Sequence, residues 1–315
     1  MPSKKETMAV LKEFLEAGKL TPVIDRTYPL ASASPSGTMA NRATVGSFFR
    51  ENPMSLQDDL LGAFETHAPT EIEQCIANGI DVNEPIGGQA PIELLIGMYL
   101  RSDRFSECLD VLLTASARYD DPPLLAVLRG RADDLEHLLE DDASLAAAEY
   151  TLPHAFTPLE GVTLLHVCAE FNKVDCATAL LGHGAAVDAR AAIDANGLGG
   201  QTPIFHAVNS HDNFAYPMLE FLLDNGASVD ISLKGILWGK SHEWETYIPE
   251  VNPISYAAIA NLRQFQRREE DQAKNIVLMQ NHKYGAAPNI PNVPNAYLQR
   301  SRRQRRERIL RALKW

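Results

Sequence analysis

The chain is 315 residues long, 45% hydrophobic, with a formal net charge of −12. The apolar share supports a folded chain, and no apolar run reaches the roughly 18 residues that a membrane-spanning helix needs. The opening, MPSKKETMAVLKEFLEAG, is charged throughout where a signal peptide would be apolar, so a soluble, cytoplasmic protein is expected.

Glu6 to Ala17 reads as a helix, and residues 16–30 follow as EAGKLTPVIDRTYPL. Residues 6–30 resemble the C-terminal segment of zinc-independent quinone-oxidoreductase-type medium-chain dehydrogenases, in which a helix end is followed by a strand. The resemblance would imply redox chemistry. However, no G-x-G-x-x-G follows a strand in this chain and no acidic residue is placed for a ribose. Residues 1–30 are therefore read as a dehydrogenase-like remnant without cofactor or activity. Residues 31–54 turn to Ala, Ser, Thr and Gly with no apolar period, the composition of a flexible linker.

From Ser55 the apolar residues recur at helical spacing in short paired runs. Leu56, Leu60, Leu61 and Phe64 mark one helix and Ile72, Cys75 and Ile76 a second, which closes at GIDVN from Gly79. The next pair opens at Gln89-Ala90-Pro91-Ile92 and closes at Ser116-Ala117-Arg118. A third runs from Pro122 through Leu135, Leu138 and Leu139 to Asp142; it has no closing glycine, so its turn must be built differently. The clearest pair spans Gly161 to Ala189, GVTLLHVCAEFNKVDCATALLGHGAAVDA. There Thr163 is placed to cap the first helix and Gly184 to stop the second. From Gly200 both ends recur, as TPIFHAV and LLDNGASVD, and a sixth pair opens at Asn252-Pro253-Ile254-Ser255 and closes at Tyr284-Gly285. Helices this short are not stable singly, and one hairpin buries one face, so stacked copies are required.

These stretches resemble the ankyrin repeat, whose pattern is G-x-T-P-L-H-x-A-A and then a second helix ending L-L-x-x-G-A-D-V-N. The resemblance implies an all-α solenoid of about six helix-turn-helix repeats over residues 55–290, and a binding role. It also implies that His166 and His206 are structural, each hydrogen-bonding a neighbouring turn.

The openings at Pro91, Pro122, Leu164, Pro203 and Pro253 lie 31, 42, 39 and 50 residues apart. Against a period of about 33, the excess marks insertions. The largest, ISLKGILWGKSHEWETYIPEV from Ile231, carries Ile236, Leu237, Trp238, Trp244, Tyr247 and Ile248, on the side from which ankyrin repeats extend their turn fingers. Displayed aromatics concentrate binding energy, although both tryptophans could instead fold back as a local cap. The candidate partner contacts are Glu84, Gln89, Tyr119, Asp120, Arg190, Trp238, His242, Trp244 and Tyr247.

Residues 291–315 read as a basic C-terminal helix with eight Lys or Arg and one Glu, a charge of +7 that leaves −19 for residues 1–290. Arg302, Arg303, Arg305 and Arg306 could hold nucleic acid or an acidic membrane surface. The acidic body beside them favours neutralisation within the chain or by a partner. No catalytic or metal site is expected: there is no G-x-S-x-G elbow, and His242-Glu243-Trp244-Glu245 lacks the second His of a zinc helix. The four cysteines form no CxxC pair and fall in helical runs, as small buried thiols do. The expected partner is another protein with a basic surface, with no cofactor and no small-molecule substrate.

Overall fold

A computed structural model describes residues 55–260 and 267–285. The expectations for residues 1–54 and 291–315 lie outside the described residues. Among those described, twelve α-helices form six successive pairs: α1 (Leu56–Glu65) with α2 (Pro69–Ala77), α3 (Pro91–Gly97) with α4 (Phe105–Thr114), α5 (Pro122–Arg129) with α6 (Ala132–Asp141), α7 (Leu164–Phe171) with α8 (Val174–Gly182), α9 (Pro203–Ala207) with α10 (Tyr216–Asp224), and α11 (Pro253–Ile259) with α12 (Glu269–Tyr284). The all-α expectation needs one amendment: the largest insertion forms two short strands, β1 (Leu233–Trp238) and β2 (Thr246–Val251).

The helices begin where local chemistry supplies partners for their first N–H groups. Ser55 Oγ accepts from the Asp58 N–H (3.2 Å) while Asp58 takes the Ser55 N–H (3.1 Å). Asp121 Oδ1 accepts from the Leu124 N–H (3.1 Å), and Asn252 and Ser255 repeat the two-way exchange (2.9 Å each way). Proline opens α2, α3, α5, α9 and α11, where its missing N–H costs nothing.

The second helices stop on a left-handed residue. Gly184 is at φ +86°, as the sequence predicts, and Ser116 takes this role after α4 at φ +67°. Without a glycine, α6 ends at Asp142 in extended backbone, whose carboxylate accepts from Ser144 N–H (3.0 Å) and Oγ (2.6 Å), and a turn of 3-10 helix follows over Ala143–Ala147. Ser116→Gly relieves left-handed strain but frees the unfolded chain. A net stabilisation of about 0.5–1 kcal/mol is expected, read as a higher urea midpoint at unchanged slope.

The pairs stack layer on layer. Helices α5, α7, α9 and α11 pack in sequence, and so do α6, α8, α10 and α12; α2 meets α4, and α4 meets α5. One cluster of buried apolar side chains runs without a break from Leu60 to Met279. Polar ties join successive turns: Asn83 Nδ2 donates to Ser116 O (3.0 Å) and its Oδ1 accepts from Arg118 N (2.9 Å), and Asp188 accepts from Ser228 N (3.0 Å). All four cysteines are buried and unpaired. Among the described residues no helix is long and apolar enough to cross a membrane.

Candidate functional site

The insertions that break the repeat period converge. Residues 150–162 form a strap closed by the Tyr150 and Val162 backbones (2.7 and 2.8 Å) and by Leu152 N to Leu159 O (2.9 Å). Leu152, Ala155 and Leu159 are buried, as an apolar lining must be for a loop to lie flat on a helix array. The strap meets the end of α3 so closely that a methyl on Gly97 would sit 3.0 Å from Pro153 Cβ, and it reaches α11 through Thr157 Oγ1 and Tyr256 OH (2.7 Å). Residues 189–201 join it by Ala192 N to Glu160 O (3.0 Å), and join the hairpin by Gly199 N to Gly235 O (2.9 Å).

The hairpin is antiparallel, with Leu233 opposite Val251 and Trp238 opposite Thr246. Ile236, Trp238 and Ile248 are buried on one face, where Ile236 pairs with Ile248, and Tyr247, opposite Leu237 on the other face, is exposed; at the open end Leu233 and Val251 are buried and Lys234 is exposed. Trp238, 2% exposed, stacks on Phe156 of the strap with centroids 4.8 Å apart and planes 6° apart. Trp244 is 48% and Tyr247 52% exposed, and Trp244 stacks on His242 (4.4 Å, 7°). The two readings of the insertion thus divide between its tryptophans: Trp238 is the fold-back cap and Trp244 is displayed. Of the other candidate contacts, Glu84, Gln89, Asp120, Arg190 and His242 are exposed and Tyr119 is partly buried. The first four and Tyr119 sit on turns between the repeat helices, away from the hairpin in sequence. Arg302, Arg303, Arg305 and Arg306 lie outside the described residues.

One assembly was not foreseen. Arg101, in the α3–α4 loop, donates from Nε to Glu170 Oε1 on α7 (3.0 Å), and His206 Nδ1 on α9 lies 3.0 Å from Glu170 Oε2. Arg101 also donates to the carbonyls of Met98 and Leu100 and lies over the Phe171 ring (4.3 Å). Burial raises the Glu170 carboxyl, but the Arg101 charge and the hydrogen bonds from His206 and Arg101 outweigh it and hold it at about 2. A carboxylate orienting an imidazole is half of a general-base arrangement. Here, however, the other nitrogen of His206, Nε2, is buried with no partner among the described residues. The geometry holds charge inside the fold and ties the second, fourth and fifth helix pairs together.

His166 behaves as the resemblance implies. Its Nδ1 accepts from Thr163 N (3.1 Å), so Nε2 carries the proton and donates to Gln201 O on the next turn (3.0 Å). Burial and the neighbouring His206 push its pKa down to about 3. His206 does not follow. It stands four residues after Thr202, whereas His166 stands three after Thr163, so Phe205 occupies the capping position and the imidazole turns to Glu170. Thr202 Oγ1 is accordingly buried with no partner among the described residues. That offset of one residue was countable in the sequence; the pairing of Glu170 with Arg101, 69 residues away, was not. Tyr256→Phe removes the hydroxyl that meets Thr157 and leaves the buried Thr157 hydroxyl without it. A loss of about 1–2 kcal/mol is expected in urea unfolding, with the hairpin tryptophan fluorescence little changed.

Where the three insertions meet, a small cleft of about 90 Å³ opens to solvent. Pro158, Ile193, Leu198 and Leu237 give it apolar walls, and Glu160, Asp194, Gln201 and Lys240 give it polar ones. Lys240 Nζ donates to both Glu160 oxygens (2.7 and 2.8 Å). The Asp194 carboxyl is held below the usual range by the N–H groups of Leu198 and Asn196. Among the described residues no group of three or more His, Cys, Asp or Glu side chains is arranged to hold a metal ion.

No curated protein matches the chain. The dehydrogenase resemblance of residues 6–30 gains no support and carries no further argument. A family model described as ankyrin repeats, in three copies, matches residues 123–232, the span from α5 to α10 with the turns that close them. Residues 123–232 of this chain are a run of three ankyrin repeats.

Proposed function

We propose that the chain is a non-catalytic protein-binding module: a solenoid of six repeats, three of them atypical, that grips a partner through its turn side. Ankyrin repeats are generally protein–protein interaction modules and typically non-catalytic. The observation that carries the reading is the hairpin. Its inner side is fixed by the Trp238–Phe156 stack, so the Trp244–His242 pair and Tyr247 are held out to solvent on a rigid support. Half-exposed aromatics on a pre-organised element are what binding hot spots are made of.

The contacts we assign are the turn fingers at Glu84, Gln89, Tyr119, Asp120 and Arg190 together with the hairpin, beside the concave face of the array. A charge of −19 over residues 1–290 favours a basic partner and association that slows with salt. Affinity capture from native cytoplasm tests this. Trp244→Ala and Tyr247→Ala should each lower recovery of the partner at least about tenfold, the cost of an average hot spot, without lowering the melting temperature. Equal recovery by wild type and both variants would refute it. The +7 charge of residues 291–315 supports one rival, an anion-binding adaptor. It would gain if deleting those residues abolished retention on immobilised nucleic acid.

A further inference from the structure

The cleft at the junction of the three insertions is shaped for a particular chemistry. Its walls, Pro158, Leu198 and Leu237, are apolar, and its charged lining is mostly acidic, Glu160 and Asp194, with Gln201 among the residues beneath it. Gln201 is 1% exposed. Its Nε2 donates to Pro158 O (2.6 Å), which leaves Oε1 buried with no donor among the described residues. A buried acceptor without a donor is costly, and it calls for an N–H group. Among the described residues Lys240 is the one charged donor lining the cleft, and both oxygens of Glu160 occupy it. It is about one-third exposed, so this pair is one that water and a competing cation can open.

We infer that this cleft receives a cationic side chain, lysine or arginine, presented by the partner, with Lys240 as an internal competitor at its mouth. The aliphatic stem of such a side chain lies along Pro158, Leu198 and Leu237, and its head donates to Glu160, Asp194 and Gln201 Oε1. Lys240 already shows that a lysine ammonium reaches Glu160 with good geometry. This assignment rests on the protein-binding reading and narrows it: the partner is basic because one basic residue is inserted.

The test uses the full chain and two probes, Nα-acetyl-lysine methylamide and Nα-acetyl-arginine methylamide, with the norleucine analogue as an uncharged control. Amide shifts of Ala192, Gly199 and the Gln201 side chain are followed by NMR at low ionic strength. Saturable shifts with one or both cationic probes, in the millimolar range of a single-residue ligand, and none with norleucine, are expected. Lys240→Met should tighten binding by about two- to fivefold, the worth of an exposed ion pair. Glu160→Gln should weaken it about tenfold or more, with Asp194→Asn as a second variant should the first fail to fold. Equal shifts with norleucine, no saturable shift with either cation, or binding unaffected by both carboxylate variants would overturn the assignment. Failure here with partner capture still dependent on Trp244 would remove the cleft alone, whereas loss of both would remove the protein-binding reading as well.

Discussion

Replacing Glu170 by alanine should cost about 3–5 kcal/mol of stability, measured by urea unfolding at neutral pH. Arg101 is 6% exposed at its side chain, and Glu170 is the carboxylate that answers its charge. Without it a guanidinium stays inside the fold with carbonyl partners and the Phe171 ring, and Nδ1 of His206 loses its acceptor. Most of the cost is the unpaired charge and not the value of the bridge. Removing both partners in Arg101→Met, Glu170→Leu should therefore return most of the loss, because well-packed apolar groups often replace a buried pair at little cost. Glu170→Gln should fall between, since its amide accepts a bond from Arg101 but carries no charge. A loss below about 1 kcal/mol for the alanine variant would mean that water reaches the pair and that the layers are not tied through it.

What could be read in advance, and what could not, follows from how far apart the interacting residues lie. Helix starts and stops are local: Gly184 at φ +86° was legible, and so was Thr163 as the residue before its helix, although it is the His166 ring, accepting from the Thr163 N–H, that closes this start. The missing glycine after α6 also had a local answer in Asp142 and Ser144. The insertions were countable as excess spacing, but not their convergence. Phe156 and Trp238 stack across 82 residues of chain, and Thr157 meets Tyr256 across 99. No periodicity encodes such a pairing, because each insertion occurs once. The hairpin escaped for a related reason. Its alternation, Leu233 in, Lys234 out, spans only six residues and breaks at Ile236, buried directly after the buried Gly235, so a displayed loop and a docked strand look alike until Trp238 has something to dock on. The same limit hid the cleft, whose walls come from three insertions.

Acid should destabilise the array well before its carboxylates titrate. His67 and His166 are fully buried, and each is held neutral: desolvation, with the nearby charges of Arg101 and Arg104, brings His67 to about 4, and desolvation with His206 brings His166 to about 3. In the unfolded chain both titrate near 6.5. Their contribution is therefore complete above pH 6.5 and shrinks as pH falls toward 4 and 3, because the unfolded state takes up protons that the folded state refuses. At pH 5 the two together should have removed about 4 kcal/mol, from about 1.5 pH units at 1.36 kcal/mol each. Below 4.5 Glu170, held at about 2, adds to the loss in the same direction. Surface charge pulls the other way: with a pI near 5.2, lowering pH toward 5 relaxes the mutual repulsion of the acidic body. The two effects separate with salt, since 0.5 M sodium chloride screens the exposed carboxylates and leaves the buried imidazoles untouched. Urea unfolding at pH 7.5 and 5.0 should thus show a drop that persists, or grows, in high salt. Equal stability at the two pH values in 0.5 M salt would mean that these imidazoles are open to water, and the packing of α7 on the Gln201 turn would have to be redrawn.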